Sequence, residues 1–325
     1  MINNYIHALL TFHCITPLHV GCGQEVGVVD LPVIRERSTG HPFIPGSGIR
    51  GTLRDVFELQ DTTLTRQLFG PDNGASNHAG CLAVHDAHLL LFPVRADKQV
   101  FCWITCPMVL QRWNRDIKAY GFKPDEWTCT SFVNLAEDKF VGPEEPLGKQ
   151  LHLEEFCFDR FDRDAAQNNL AESLKTWADK VGQAVGLSSA KDRTCLVSDK
   201  AFYHFVNYAT MLIQHNTLTT AKTVKDGALF SVESVPPEAV FYGLIGATQE
   251  RKEPEEGEKR LQAMKVLEKF KQTLFVHDEK KTSASQTPIA EQQIAKTSPA
   301  FLQFGGDEGT GLGVTKLTWL TVEEV

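Results

Sequence analysis

Hydrophobic positions along the 325-residue chain fall into short β-like runs and longer runs with helical spacing. Runs rich in β-branched and aromatic residues predict strands over 5–20, 82–94 (interrupted near Asp86), 100–106, 240–247 and 314–320. Apolar residues three and four apart predict helices over 48–59, 64–69, 108–120, 165–185, 197–207 and 261–274. The two kinds of run alternate irregularly and long loops separate them. This order predicts an α+β sheet fold with insertions rather than a doubly wound parallel sheet.

The segment 21–46, between the first strand and the first helix, is a long stretch punctuated by Gly and Pro. Connections of this length are uncommon in compact domains and are usually functional or disordered. Its Val and Ile residues favour packing over disorder. Asp30 lies between Val29 and Leu31. A lone loop aspartate is usually a cap or turn residue, but apolar flanks favour a carboxylate that binds a divalent cation or helps deprotonate a hydroxyl.

The end of this segment, residues 45–48, has the small residues of a helix start. Free N–H groups and the helix dipole make such a start receptive to anions, with Ser47 exposed to a ligand. Arg50 and Arg54 follow four residues apart and share one face of the helix. Two further arginines lie within the loop, Arg35 and Arg37. Basic residues, a helix start and a carboxylate together predict a phosphate backbone as ligand.

Two apolar runs, 208–216 and 228–235, flank a polar centre that contains the hairpin signal Asp226-Gly227. This pattern predicts a long β-hairpin that projects from the body of the protein.

A glycine-rich loop follows residue 301, with five glycines from Gly305 to Gly313. Such a loop either presents N–H groups to a phosphate or packs closely on another segment. It is neither a Walker loop nor a dinucleotide fingerprint, because no Gly-Lys-Ser/Thr and no helix follow it. His19 is open to two interpretations, a half-buried structural histidine or a nucleotide contact. One further group resembles a metal site without matching a standard zinc spacing: His78, Cys81, His85 and His88.

The net charge of −8 argues against a free-standing protein that coats DNA or RNA, but it allows a locally basic groove. The eight cysteines form no CxxC pair, which predicts a reducing, cytoplasmic environment. We expect neither a signal peptide nor contact with a membrane, since no apolar run has the required length.

The chain resembles the backbone subunits of the Cmr, or type III-B, CRISPR effector complex, RAMP-superfamily proteins at the fourth place of the Cmr series. The similarity runs in order along nearly the whole chain. It is carried by PLHVGCG, VGVVDLPVIRERSTGHPFIPGSGIRGTLR, HAGCLAVHDAHLLLFPVRADKQVFCWITCPMVLQRW, LVSDKAFYHFVN, TVKDGALFSVESVPPEAVFYG and LQFGGDEGTGLG. It implies a single RAMP domain over 1–325 with a modified ferredoxin-like (RNA-recognition-motif-like) palm. Insertions are expected at about 21–46 (active-site loop), 208–235 (thumb hairpin) and 278–298 (polar).

The resemblance also implies a guide-RNA (crRNA) backbone subunit that stacks head to tail with its own copies and contacts other Cmr-type subunits. Single-stranded target RNA would be cut once per subunit by attack of a 2′-OH on the adjacent phosphate. Asp30 would be catalytic and hold Mg²⁺ or Mn²⁺, with His19 and Glu233 in support. The implied RNA-binding residues are Arg35, Arg37, Ser47, Arg50, Arg54, His215, Lys222, Lys225, Gly305, Gly306, Gly309, Gly311 and Gly313.

The sequence departs from the family at the entry to the hairpin, where an arginine is common and this chain has Ile213-Gln214-His215-Asn216. Either His215 replaces that contact or the hairpin register differs. Three alternatives to the cleaving subunit stay open. They are a catalytically silent scaffold, a stand-alone RAMP endoribonuclease that trims guide precursors, and, more distantly, a metalloenzyme that uses the His78–His88 group.

Overall fold

The structure is a computed structural model. The structure describes residues 5–24, 27–71, 78–123, 127–129, 135–161, 164–217, 219–225, 228–253, 259–275 and 299–320. The sequence predictions for 278–298 and for the Asp226-Gly227 turn lie outside the described residues.

The fold is mixed α/β, with a large sheet as its centre. The strands are β1 Ile6–Cys14, β2 Phe43–Ile44, β3 Leu82–Val84, β4 Ala87–Arg95, β5 Phe101–Thr105, β6 Lys139–Val141, β7 Gln150–Leu153, β8 Phe156–Arg160, β9 Thr194–Val197, β10 Met211–His215, β11 Phe230–Ser234, β12 Val240–Ala247, β13 Ala300–Gln303 and β14 Val314–Leu320. The helices are α1 Gly46–Glu58, α2 Thr62–Phe69, α3 Pro107–Ala119, α4 Glu144–Leu147, α5 Asp164–Val185, α6 Ala190–Arg193, α7 Asp199–Tyr208 and α8 Ala263–Phe275.

Within the described residues, twelve strands form one sheet whose main path runs β13-β14-β1-β12-β4-β5-β9-β6-β8-β7. In its first half β1 pairs antiparallel with β12 and β14, and β12 pairs antiparallel with β4. The chain passes from β1 to β4 through α1, and from β12 to β14 through α8. β10 and β11 form a separate two-stranded antiparallel sheet, in which Met211 faces Ser234 and His215 faces Phe230.

The central strands are hydrophobic because both of their faces are covered. All eight residues of β12 are buried, as are the last seven of β1. Gly243 in β12 permits close packing, since a Cβ there would lie 3.2 Å from the Cβ of Ala87. α1 buries Ile49, Leu53 and Phe57, the apolar positions whose spacing predicted it.

Most predicted elements are present, and the differences have local reasons. β1 ends at Cys14 instead of continuing to residue 20, because the chain then leaves the sheet and Leu18 pairs with Val235 beyond β11. The strands β6, β7 and β8 lie in a part of the chain for which the sequence pattern predicted no strand. Ser198 caps α7, its hydroxyl accepting the N–H of Ala201 at 3.1 Å. No described helix has the length and apolarity that a membrane span requires.

Candidate functional site

Strand β11 is the element on which the long loop after β1 is assembled. The loop segment around Leu31 runs beside it, since Leu31 N donates to Ser231 O and Glu233 N donates to Leu31 O, both at 3.0 Å. Leu18 and Val235 exchange both backbone hydrogen bonds, at 2.9 and 2.8 Å. The long loop after β1 and the β10–β11 hairpin are therefore joined by backbone hydrogen bonds and form one structural unit.

Asp30 is fixed to this strand by a single residue, Ser231. Its Oδ2 accepts two hydrogen bonds at 2.8 Å, from the N–H and from the hydroxyl of Ser231. The hydroxyl in turn accepts the N–H of Asp30 at 3.0 Å. In the described part of the chain, the other carboxylate oxygen, Oδ1, makes no hydrogen bond to another residue. The two oxygens of Asp30 are thus unlike, one anchored and one available.

These contacts favour the charged form of Asp30. The backbone N–H of Ser231 and, second, its hydroxyl lower the pKa of the Asp30 carboxyl from its usual value of 3.8. Asp30 is therefore an anion at neutral pH. Because its side chain is only half-buried, solvent and ligands can reach it.

Glu233, two residues further along β11, receives three donors from around the loop. Its Oε2 accepts the N–H of Val33 at 3.0 Å, and its Oε1 accepts the hydroxyl of Thr210 at 2.8 Å. The same Oε1 forms an ion pair with the guanidinium of Arg35. The side chain of Glu233 is only 7% exposed. This carboxylate therefore connects the loop, the hairpin and the end of α7, and its expected supporting role in catalysis stays a prediction.

Arg35 is likewise occupied by protein groups. Besides Glu233, its Nη1 donates to the carbonyls of Gly40 and Val206, at 3.1 and 2.8 Å. The guanidinium expected to bind RNA thus connects the loop to the C-terminal end of α7. Arg37, in contrast, is exposed and makes no ion pair or hydrogen bond with the described residues.

His19 is buried beside the same strand, with 7% exposure. Its Nδ1 lies 2.6 Å from the carbonyl oxygen of Glu233. A carbonyl can only accept, so Nδ1 carries the proton and, in the neutral ring, Nε2 holds the lone pair. The ring lies against Gly21, where a Cβ would come within 2.7 Å of Nε2.

The glycine-rich loop packs on the backbone at His19. Gly306 N donates to the carbonyl of His19, and Gly313 N donates to that of Pro17, both at 2.8 Å. Gly305 has φ +78°, and a Cβ there would lie 2.1 Å from His19 O. These glycines serve close packing, whereas Gly309 and Gly311 are exposed with no atom near a Cβ position. The loop connects to α1 through Thr52, whose hydroxyl donates to Gln303 O at 3.4 Å.

The start of α1 already has an anion from the protein itself. Asp86 Oδ1 accepts the N–H of Gly46 at 2.7 Å. Ser47 remains exposed in the first turn. The two arginines of this helix reach the end of α2, where Arg50 bonds Phe69 O and Arg54 donates to Gly70 O at 2.9 Å. They cap the carbonyls of α2, which the sequence did not predict.

A second ion pair holds the far part of the loop to α3. Glu36 accepts two hydrogen bonds from Arg112, at 2.5 and 2.8 Å, and one from His88 Nδ1 at 2.7 Å. Burial alone would raise the pKa of Glu36, but the bonds from His88, Arg112 and Thr39 outweigh it and hold that pKa well below its usual value. His41 lies nearby and is 3% exposed; burial lowers its pKa to about 4.

The hairpin carries exposed apolar side chains, and exposed lysines lie in the segment that connects its two strands. His215 stacks on Phe230 with ring centres 5.3 Å apart. Lys222 and Lys225 are exposed in the segment between β10 and β11. The exposed large apolar side chains of the hairpin are Leu212, Val224, Leu229 and Phe230.

The zinc-like sequence group is dispersed. Cys81 bonds Gln67 O, His85 packs on His7 and Tyr120, and His88 pairs with Glu36. Across the described ranges, no three His, Cys, Asp or Glu side chains are grouped so that they could hold a metal ion.

Several residues of the site were not singled out from the sequence: Ser231, Thr210, Glu36, Arg112 and Asp86. One weak signal was available for Ser231. Ser231 and Glu233 lie two positions apart in β11, with Val232 between them, so both polar side chains share one face.

The family model of the RAMP superfamily matches residues 11–316. The chain belongs to the RAMP superfamily. Among curated RAMP relatives, the CRISPR system Cmr endoribonuclease Cmr4 of Pyrococcus furiosus is 29% identical over 318 residues, covering 95% of this chain and 94% of the relative. The Cms endoribonuclease Csm3 of Methanothermobacter thermautotrophicus is 44% identical over 50 residues, 14% of this chain and 20% of that protein.

Solved RAMP structures give the same result. Oligomeric Cmr4 from Pyrococcus furiosus has a TM-score of 0.66 at 25% identity and matches 98% of this chain and 100% of that one. A chain in the type III-B Cmr-beta complex bound to cognate target RNA has a TM-score of 0.65 at 18% identity, covering 97% and 98%, which shows a shared fold. The chain is a homologue of the Cmr backbone RAMP subunit, and the resemblance inferred from its sequence is confirmed.

Proposed function

We propose that this protein is a backbone subunit of a type III-B CRISPR complex, which binds crRNA and cleaves complementary target RNA at Asp30. The similarity to Cmr4 over almost the entire chain supports the complex and its RNA targeting. The observation that carries the cleavage proposal is the Asp30 carboxylate, anchored through Oδ2 to β11 and available through Oδ1.

The proposed reaction needs no covalent bond to the protein. O2′ of the target bonds to the adjacent phosphorus and the P–O5′ bond breaks, which leaves a 2′,3′-cyclic phosphate. The 2′-OH proton leaves to solvent and the departing O5′ takes up a proton. Binding must hold O2′ and O5′ in line across the phosphorus. The joined loop and hairpin provide a rigid frame for that alignment.

The lowered pKa of Asp30 limits its chemical role. A carboxylate that is a weak base at neutral pH is a poor proton acceptor, and it suits the orientation of the attacking group or the binding of a cation. Mg²⁺ commonly uses one or two carboxylates together with substrate phosphates and water. Asp30 Oδ1 fits that mode and would hold Mg²⁺ or Mn²⁺. Such an ion supplies charge neutralisation at the phosphate.

The remaining candidates divide by their contacts. We assign Glu233 and Arg35 to positioning the loop, because both side chains are occupied by protein partners. His19, held by the carbonyl of Glu233, orients the same frame. The exposed members of the RNA-binding set remain candidates for phosphate contacts, and they are Arg37, Ser47, Arg50, Lys222, Lys225, Gly305, Gly306, Gly309 and Gly311.

The hairpin suits the proposed thumb. Apolar side chains wedged between base steps unstack and kink a nucleic acid duplex. The exposed Leu229 and Phe230, with Lys222 and Lys225 beyond them, offer apolar contact to bases and positive charge to phosphates. The strand order β14-β1-β12-β4 with crossing helices α1 and α8 supports the proposed ferredoxin-like palm.

The test is cleavage of a labelled complementary RNA by the complex reconstituted with crRNA, partner subunits and this chain. We expect regularly spaced cuts with 2′,3′-cyclic phosphate ends, loss of one cut when its nucleotide is 2′-deoxy, and loss of all cuts with chelator. Binding without any cut would assign this chain the role of a scaffold. Cuts that survive 2′-deoxy substitution would refute the mechanism.

A further inference from the structure

We propose that Ser231 is a positioning residue for target cleavage, through which the hairpin strand β11 sets the orientation of the Asp30 carboxylate. This inference rests on the proposed function and deepens it. It concerns a residue of the hairpin strand that acts on the reaction through Asp30 rather than through RNA.

The first observation is how completely Ser231 is used. Its N–H and hydroxyl both donate to Asp30 Oδ2, its hydroxyl oxygen accepts from Asp30 N, and its carbonyl accepts from Leu31 N. Every polar group of this residue therefore contacts two consecutive loop residues. The side chain is buried, with 4% exposure, so water does not compete for these bonds.

The second observation is what those bonds leave available. Two donors on Oδ2 fix the plane of the carboxylate and leave Oδ1 without a hydrogen bond to any other described residue. Without the hydroxyl, Oδ2 would keep one donor, and the N–H of Asp30 would lose its acceptor. The carboxylate would then be free to rotate, and its pKa would rise towards the usual value.

The third observation is the location of Ser231 on the hairpin. β11 pairs with β10 and, on its other side, with the loop at Leu31. A hairpin displaced by bound RNA would carry Ser231 and Asp30 with it. Ser231 is thus the direct connection between the element proposed to wedge the duplex and the proposed catalytic group.

The experiment uses the reconstituted complex with four variants: Ser231→Ala, the isosteric pair Ser231→Thr and Ser231→Val, and Ser234→Ala. Thr keeps the hydroxyl and Val has the same shape without it. Ser234 lies on the same strand, and its buried hydroxyl has no hydrogen-bond partner among the described residues. The readouts are the single-turnover cleavage rate and, separately, the Kd for target RNA.

Loss of one hydrogen bond to a charged group is expected to lower a rate constant by about tenfold to a hundredfold when that bond positions the reacting group. We expect Ser231→Ala and Ser231→Val to slow cleavage by that factor with an unchanged Kd. Ser231→Thr should restore most of the rate, and Ser234→Ala should match wild type. If Ser231→Ala does not assemble, the Thr and Val pair decides the question.

Equal rates for the Thr and Val variants would overturn the inference, as would a parallel loss of target binding. Asp30→Ala separates this failure from failure of the proposed function. If Asp30→Ala abolishes cleavage while Ser231 variants cut normally, only the positioning role falls. If Asp30→Ala cuts normally, both proposals fall.

Discussion

Arg35 resembles an RNA-binding side chain by residue type, but in the structure it forms a largely buried ion pair with Glu233. Arg35→Met removes the charged partner of Glu233 and the donors to two backbone carbonyls, of Gly40 and Val206. Methionine keeps much of the side-chain length, so the change tests the polar contacts rather than packing.

The expected cost follows from burial. Breaking a buried ion pair by removing one partner destabilises a protein by about 3–5 kcal/mol. The side chains of Arg35 and Glu233 are 19% and 7% exposed, and Thr210 and Val33 still donate to the glutamate. We therefore expect the lower end of that range, about 3 kcal/mol.

The assay is urea unfolding of the isolated chain, with Arg37→Met as a matched control. Arg37 is exposed and makes no ion pair or hydrogen bond with the described residues, so its loss should change the free energy of unfolding by no more than about 0.5 kcal/mol. For crRNA binding we expect the opposite result, with the larger effect from Arg37→Met. Arg37→Met should reduce the slope of log K against log salt by about 0.7, and Arg35→Met should leave it unchanged.

A double variant completes the test. Arg35→Met with Glu233→Gln should cost less than the two single changes added together, because the second change removes the uncompensated charge. The reasoning would be refuted if Arg35→Met cost less than about 1 kcal/mol and changed the salt slope as Arg37→Met does. Arg35 would then contact RNA.

Three further predictions concern the loop and its supports. Glu36→Gln should destabilise the chain at pH 7 by about 3 kcal/mol. Because the folded-state pKa of Glu36 is lowered, the difference in free energy of unfolding between wild type and variant should narrow as the pH falls below 4.5, the ordinary pKa of this carboxyl. Urea titrations at several pH values measure this difference. Burial lowers the pKa of His41 to about 4 in the folded chain, against an ordinary value of 6.5. The unfolded chain therefore binds a proton more readily between these values, so the free energy of unfolding should fall as the pH drops from 6.5 towards 4. His41→Phe should flatten this pH dependence. Gly305→Ala should lower the thermal midpoint because its Cβ would strike His19 O, whereas Gly309→Ala, with open space, should not; equal midpoints would contradict the packing described.

Periodicity alone placed the elements whose pattern is local. β12 and β14 occupy the predicted ranges, and α1, α2 and α5 begin within two residues of prediction. The spacing of buried residues on one face is a property of the sequence itself, so it can be recognised without tertiary contacts. The two strands of the hairpin, which lie within the predicted runs 208–216 and 228–235, belong to this class as well.

The contacts of the site could not be predicted in this way. Asp30 and Ser231 are 201 positions apart, and Arg35 and Glu233 are 198 apart. Which arginine meets a buried carboxylate depends on the register between loop and β11, and no local pattern encodes that register. Residue type therefore suggested RNA binding equally for Arg35 and Arg37, and only the fold distinguishes them.

We propose that Asp30, held on β11, is the residue at which target RNA is cleaved. The most direct measurement is the single-turnover rate of target cleavage by the complex assembled with Asp30→Asn, with the Kd for target measured in the same samples. Asn keeps the size of the side chain and removes the charge. We expect the cuts to fall below detection while the Kd for target RNA is unchanged. Cuts at the wild-type rate and spacing would contradict it and place the catalytic group elsewhere.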